Sequence, residues 1–261
     1  MMFQCIERIR LNTIKSLAFI AILLLIICIG GAVTLAFIPA APTVTQKPDL
    51  PVNGPSIEDV ILPMTEDAGQ EYIDKIYFVG DSTTLHFWKG GVDRSHILVP
   101  DSDTLQLTSN INNEIMKNTG LTISKSLKDL EAEIVILTLG VNGADRFTEL
   151  KYKTYYKKLI NDIKTESPDT VIIIQSVFPI TKWKNDENIG ITNAGIDRLN
   201  EWCKEIAFDE KLYYLDTQSV LKDKNGAQIE EYNNGDGIHM NNEAYEAILQ
   251  YIRTHAVLEK E

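Results

Sequence analysis

The chain is poor in the residues that staple or metallate small domains. Its 261 residues include three cysteines, Cys5, Cys28 and Cys203, and only four histidines. The cysteines lie far apart, with no C-x-x-C pair and no zinc spacing. Neither a disulfide framework nor a structural metal is expected, and Cys203 reads as a small buried apolar residue. Basic residues are also in deficit: 25 Lys and Arg stand against 37 Asp and Glu, a net charge of -12. That balance argues against nucleic acid as a partner, which requires a basic footprint. Several catalytic signatures are missing too. There is no G-x-S-x-G elbow, no G-x-G-x-x-G, no G-x-x-x-x-G-K-[ST] and no H-E-x-x-H. No internal repeat is visible, and no cofactor is implied.

What the chain does have begins with one long apolar run. Leu17 to Ile38 carries no charge over about 22 residues, enough to cross a bilayer. A cleavable signal peptide has a shorter apolar region and a small-x-small site, and Ala40-Ala41 between Pro39 and Pro42 is a weak one. An uncleaved anchor is therefore expected. Arg8, Arg10 and Lys15 precede it, which places the N-terminus in the cytoplasm and the rest outside. Six prolines follow between Pro39 and Pro63 without periodicity. The expected organisation is a cytoplasmic segment over 1–16, a transmembrane helix over 17–38, a Pro-rich linker over 39–65 and a folded domain over 66–261.

The folded domain alternates strand-like and helix-like segments. Ile76–Val79, Ile134–Leu139 and Val171–Ile174 are continuous apolar runs of strand length, the pattern of strands buried on both faces. Ile97–Val99, Leu105–Leu107 and Leu212–Leu215 are shorter candidates. Helical spacing links Ile123, Leu127 and Leu130, the segment Tyr152–Lys164, the set Ile196, Leu199, Trp202, Cys203 and Ile206, and the set Ala244, Ile248, Tyr251 and Ile252. Such alternation predicts a parallel sheet covered by helices on both sides.

Strand ends are where such sheets place their chemistry. The first strand runs into Gly80-Asp81-Ser82, where Ser82 is a nucleophile if a base reaches it and an ordinary capping or turn residue if none does. The 134–139 strand runs into Gly140-Val141-Asn142-Gly143. An Asn amide there can donate to an oxyanion, or the stretch can be a plain Gly/Asn turn. Just before the last helix comes Gly235-Asp236-Gly237-Ile238-His239. A histidine base and an orienting carboxylate three residues apart suit acyl transfer, while a metal pair or a helix cap are the alternatives. His86, His96 and His255 are weaker candidates, expected to pack, to face solvent or to suit a helix end.

Taken together and in this order, these stretches resemble the SGNH (GDSL-type) esterase family over about residues 74–255. Gly80-Asp81-Ser82 matches its first block, Gly140-Val141-Asn142 its G-x-N block and Asp236-Gly237-Ile238-His239 its D-x-x-H block. Tyr251-Ile252-Arg253-Thr254-His255 also looks like the tail of membrane-anchored members from Gram-positive bacteria. The resemblance implies a three-layer α/β/α sandwich around a flavodoxin-like parallel sheet of about five strands. It implies Ser82 as nucleophile, His239 as general base and then acid, and Asp236 as its orienter. It implies an oxyanion hole from the Ser82 backbone N–H, the Asn142 side chain and a glycine N–H, for which Gly120 holds the right place and the Ser102-Asp103-Thr104 loop is the rival.

The expected function is that of a membrane-anchored serine esterase facing outside the cell. A tether of about 25 residues spans roughly 25–30 Å by coil statistics, which favours ester or acylated-glycan substrates of the envelope, O-acetyl groups first. Asp81 is taken as substrate-binding, and Trp183 and Phe178 as a stacking wall, with ordinary loop packing as the other role for the two aromatics. The rival activities are a lysophospholipase- or thioesterase-type lipid hydrolase, acyl transfer to a sugar and, from a different class, a catalytically idle envelope-binding module.

Overall fold

The computed structural model describes residues 56–257. The expected span over 17–38 and most of the linker lie outside the described residues. Among those described, no helix is long and apolar enough to cross a membrane.

Five strands form one parallel sheet: β1 (Ile76–Gly80), β2 (Ile97–Leu98), β3 (Ile134–Thr138), β4 (Val171–Gln175) and β5 (Tyr213–Leu215), in the order β2-β1-β3-β4-β5. The helices are α1 (Gly69–Ile73), α2 (Ser82–Leu85), α3 (Ile123–Asp129), α4 (Glu149–Glu166), α5 (Lys182–Asp186), α6 (Asn193–Glu210) and α7 (Asn242–Arg253). Side chains alternate across the pleat, so each strand feeds two cores. Val79, Leu137 and Ile174 point to the face covered by α3, α4 and α6. Phe78, Ile136 and Ile173 point to the face covered by α1 and α7. Each such side chain, fully removed from water, contributes on the order of 1.5–3 kcal/mol. This is the expected α/β/α sandwich. Cys203 is a free, buried thiol within it, pushed up to about 12 by burial.

Caps set the helix starts. Thr148, Thr192 and Asn241 each accept a backbone N–H from the first turn of α4, α6 and α7, the usual way of satisfying those unpaired donors.

Two expectations about boundaries need correction. The linker was expected to reach 65, but its last residues join the domain. A 3-10 turn at Ile57–Val60 leads Ile61 into a parallel bridge with Tyr214, and Val60 and Leu62 are buried. The apolar residues between Pro55 and Pro63 cover the open edge of β5. Leu105–Leu107 is not a strand. Leu105 and Leu107 instead drop into the core shared with Ile123 and Leu127.

Candidate active site

The parallel register aligns Gly80 with Thr138, so the segments leaving β1 and β3 emerge side by side at one end of the sheet. The chain turns sharply after Gly80. A Cβ there would stand 1.9 Å from Thr84 Oγ1 and 2.6 Å from the Thr138 carbonyl, which only glycine avoids. Asp81 caps α2, its carboxylate accepting the Thr83 N–H at 3.0 Å and the Thr83 hydroxyl at 2.7 Å. Ser82 is thereby the first residue of the turn. Tyr245 of α7 donates its hydroxyl to the Thr83 carbonyl at 2.6 Å and fixes the turn from below.

The 233–239 loop brings the other groups. The Asn233 side chain accepts the N–H groups of Gly235 and Gly237, and Thr181 N–H donates to the Gly237 carbonyl at 3.0 Å. Asp236 accepts two backbone N–H bonds through Oδ1, from Ile238 and His239, both at 2.8 Å. Its other oxygen lies 2.7 Å from His239 Nδ1. His239 Nε2 lies 2.9 Å from Ser82 Oγ. A carboxylate only accepts, so the proton sits on Nδ1 and leaves Nε2 free to accept from the serine hydroxyl. Partial burial pushes the Asp236 carboxyl up, but the Ile238 N–H, the imidazole and the His239 N–H outweigh it, and the group stays below its ordinary 3.8.

On the β3 side, Asn142 sits in a 3-10 turn, Val141–Gly143. Its Nδ2 is buried and has no partner among the described residues. An unpaired buried amide donor costs roughly 1–3 kcal/mol, a cost usually met only where a ligand completes the bond. The Arg146 guanidinium donates to the Asn142 carbonyl and closes the turn. Beside it lies a cavity of about 400 Å³, whose wall includes Asn142, Arg146, Phe147, Lys151 and Tyr155.

Residues 78–247 match the profile of the GDSL-like lipase/acylhydrolase family. The chain belongs to that family. Its fold is shared with a GDSL-like lipase from Bacteroides thetaiotaomicron, at 15% identity and a TM-score of 0.51, covering 76% of this chain and 91% of that one. A protein from Bacteroides fragilis named as an acylhydrolase is similar at 17% identity and a TM-score of 0.52, covering 74% and 88%. An uncharacterized protein of Methanocaldococcus jannaschii is 25% identical over 100 residues, 38% of this chain, and the match spans only 33% of that relative's length. GDSL-like acylhydrolases are ester-bond hydrolases, and the α/β/α sandwich is their fold.

Ser82, His239 and Asp236 form one hydrogen-bonded line. Other expected site residues stand elsewhere. Gly120 is not an oxyanion donor: its N–H closes a turn onto the Met116 carbonyl at 2.8 Å, and its φ of +69° is what that turn needs. The rival Asp103 likewise spends its N–H on the Pro100 carbonyl. Asp81 does not face substrate. It is buried, occupied by capping, and raised above its ordinary value by that burial. Phe178 is core, packed beside Phe87 with ring centroids 6.4 Å apart, so it cannot stack on a ligand. Trp183 is 39% exposed and lies against the 233–239 loop, close enough that a Cβ on Gly237 would stand 2.9 Å from its ring. Its Nε1 donates to Glu230.

One neighbour was not anticipated. The His86 ring meets the His239 ring edge-on. Its position four residues after Ser82, one helical turn on, was the available signal. Burial, with Lys89 and His239 nearby, holds His86 below its ordinary value.

Proposed function

We propose that the chain is a serine esterase in which Ser82 attacks the ester carbonyl. The observation that carries this reading is the continuous line from Asp236 through His239 to Ser82, with contacts of 2.7 and 2.9 Å. His239 Nε2 takes the hydroxyl proton as Ser82 Oγ bonds to the carbonyl carbon. Asp236 holds the imidazole in the required tautomer and stabilises its charged form. The negative charge that forms on the carbonyl oxygen meets two donors: the unpaired Asn142 Nδ2 and the Ser82 N–H, which opens α2 and lacks an intrahelical acceptor. The imidazolium returns its proton to the departing alcohol. Water, deprotonated by the same nitrogen, then bonds to the acyl carbon, the bond to Ser82 Oγ breaks, and the imidazolium returns its proton to that oxygen as the acid leaves.

The substrate reading is an O-acyl group, O-acetyl first, on a glycan of the envelope or the extracellular surface. It rests on the apolar run over 17–38 and the proline-rich stretch that follows, which would hold the domain outside the cell on a short tether. The Asp236–His239–Ser82 line, complete in its contacts, also speaks against an idle binding module.

The test compares p-nitrophenyl acetate with p-nitrophenyl octanoate, using the full chain and its Ser82→Ala variant. Acetate turnover that disappears in the variant supports the serine esterase with a short acyl site. A preference for octanoate would replace the glycan reading with a lipid hydrolase. Turnover that survives Ser82→Ala would overturn the mechanism.

A further inference from the structure

The cavity beside Asn142 has an electrostatic character opposite to that of the protein. The chain carries a net charge of -12, yet the cavity wall holds Arg146 and Lys151 and no carboxylate. Along α4, Lys153, Lys157, Lys158 and Lys164 are each ion-paired to an Asp or Glu. Lys151 and Arg146 have no such partner among the described residues. Arg146 uses one guanidinium nitrogen on the Asn142 carbonyl, which fixes the group in place and leaves its other N–H donors available. Phe147 and Tyr155, both half-buried, supply apolar wall to the same cavity. Thr108, half-buried, also lines it.

We propose that this cavity is an anion-reading subsite, which takes a carboxylate or phosphate carried by the ester substrate a few bonds from the scissile carbonyl. The assignment rests on the serine esterase reading and narrows its substrate class to acidic esters, such as an acylated uronic acid or an acylated sugar phosphate. Its position follows from Asn142, which contributes both to the cavity wall and to the proposed oxyanion site. A substrate whose carbonyl oxygen is held by Asn142 Nδ2 lies next to this cavity, within reach of it for a group a few bonds away. Arg146 offers a planar fork to the anion and Lys151 a mobile point charge, a pairing that suits an oxyanion of either kind. In a protein of net negative charge, two unpaired cations in the wall also draw an anionic substrate against the overall field.

The test uses the full chain and matched pairs of acetylated sugars. One pair is an O-acetyl uronic acid and its methyl ester, and the other an O-acetyl hexose phosphate and the unphosphorylated O-acetyl hexose. The expected result is about a tenfold higher kcat/KM on the charged member of at least one pair, carried mostly by KM and weakened by added salt. The pair that shows it identifies the anion as carboxylate or phosphate. Lys151→Glu and Arg146→Gln should each bring that ratio towards one. Equal rates on both members of both pairs, or a ratio untouched by Lys151→Glu, would overturn the subsite. Calorimetric titration with glucuronate and with inorganic phosphate reads the cavity without turnover. Binding that Lys151→Glu abolishes supports the subsite even if no ester is cleaved, an outcome in which only the esterase reading fails. No binding of either anion to the wild-type chain counts against it.

Discussion

His86 and His239 meet edge-to-face, with ring centroids 5.4 Å apart and planes inclined by 78°. Aromatic pairs in this arrangement contribute roughly 0.5–1.5 kcal/mol beyond area burial. The contact braces the imidazole that must stay aligned with Ser82. His86→Ala should therefore lower kcat about three- to tenfold with little change in KM, and His86→Phe should restore most of it. An unchanged kcat in His86→Ala would remove the bracing role.

The same histidine gives a signed pH dependence of stability. Burial first, then Lys89 and His239, lowers the His86 value below 6.5, while the Ser82 carbonyl and Asp236 oppose the shift. The unfolded chain thus binds a proton near pH 6.5 that the folded chain refuses. Stability is full above that pH and falls as pH drops through 6.5 towards the lower folded value. Asp236 adds a second loss in more acid solution, below 3.8, because its folded value is depressed. Denaturant melts of the wild type and His86→Phe across pH 5–8 should differ in slope, the variant being flatter. Parallel curves would mean that His86 titrates as an ordinary exposed ring.

Removal of either central member should be close to complete. Ser82→Ala and His239→Ala are each expected to lose about 10⁶-fold in kcat, and Asp236→Asn about 10⁴-fold, since an amide that donates to Nδ1 moves the ring proton to Nε2 and leaves it unable to accept from Ser82. Pre-steady-state and steady-state rates on p-nitrophenyl acetate read all three. Activity within tenfold of wild type in any of them contradicts its assigned role.

The sequence made the sheet and this line legible for identifiable reasons. Ile76–Val79, Ile134–Leu139 and Val171–Ile174 are apolar on both faces, a pattern that fits parallel strands. Gly80-Asp81-Ser82 and Asp236–His239 are short-range spacings, readable without tertiary contacts. What escaped depended on neighbours distant in sequence. The turn that occupies the Gly120 N–H is set by Met116, and the Phe178 ring is claimed by Phe87 across the core. At Asp81, capping and substrate binding ask for the same residue type, and only its burial and its bonds to Thr83 distinguish them.

Asn142 sets activity against stability. Its buried, unpaired Nδ2 is a liability of about 1–3 kcal/mol in the resting protein, and under the proposed mechanism it becomes a donor in the transition state. Asn142→Ala should cost about 10²–10³-fold in kcat while the melting temperature stays level or rises. A fall in melting temperature would show that the amide is holding the fold, and a change confined to KM would make it a substrate contact instead.

The last prediction concerns Gly237, which separates Asp236 from Ile238 and His239. Its φ is +85°, in the left-handed region that glycine enters freely. A Cβ there would also stand 2.6 Å from Lys184 Cβ and 2.9 Å from the Trp183 ring. The Lys184 contact is the decisive one, because every residue except glycine has a Cβ at that position. Gly237→Ala must therefore push the loop away from α5, and with it the Thr181 N–H bond that holds the Gly237 carbonyl. Displacing His239 by about 1 Å is enough to cost on the order of 10²-fold. The variant should lose that much kcat together with some melting temperature, and Trp183→Ala in the same chain should not recover it. Full recovery in the double variant would mean that the indole, rather than the α5 backbone position, sets the place of the catalytic loop.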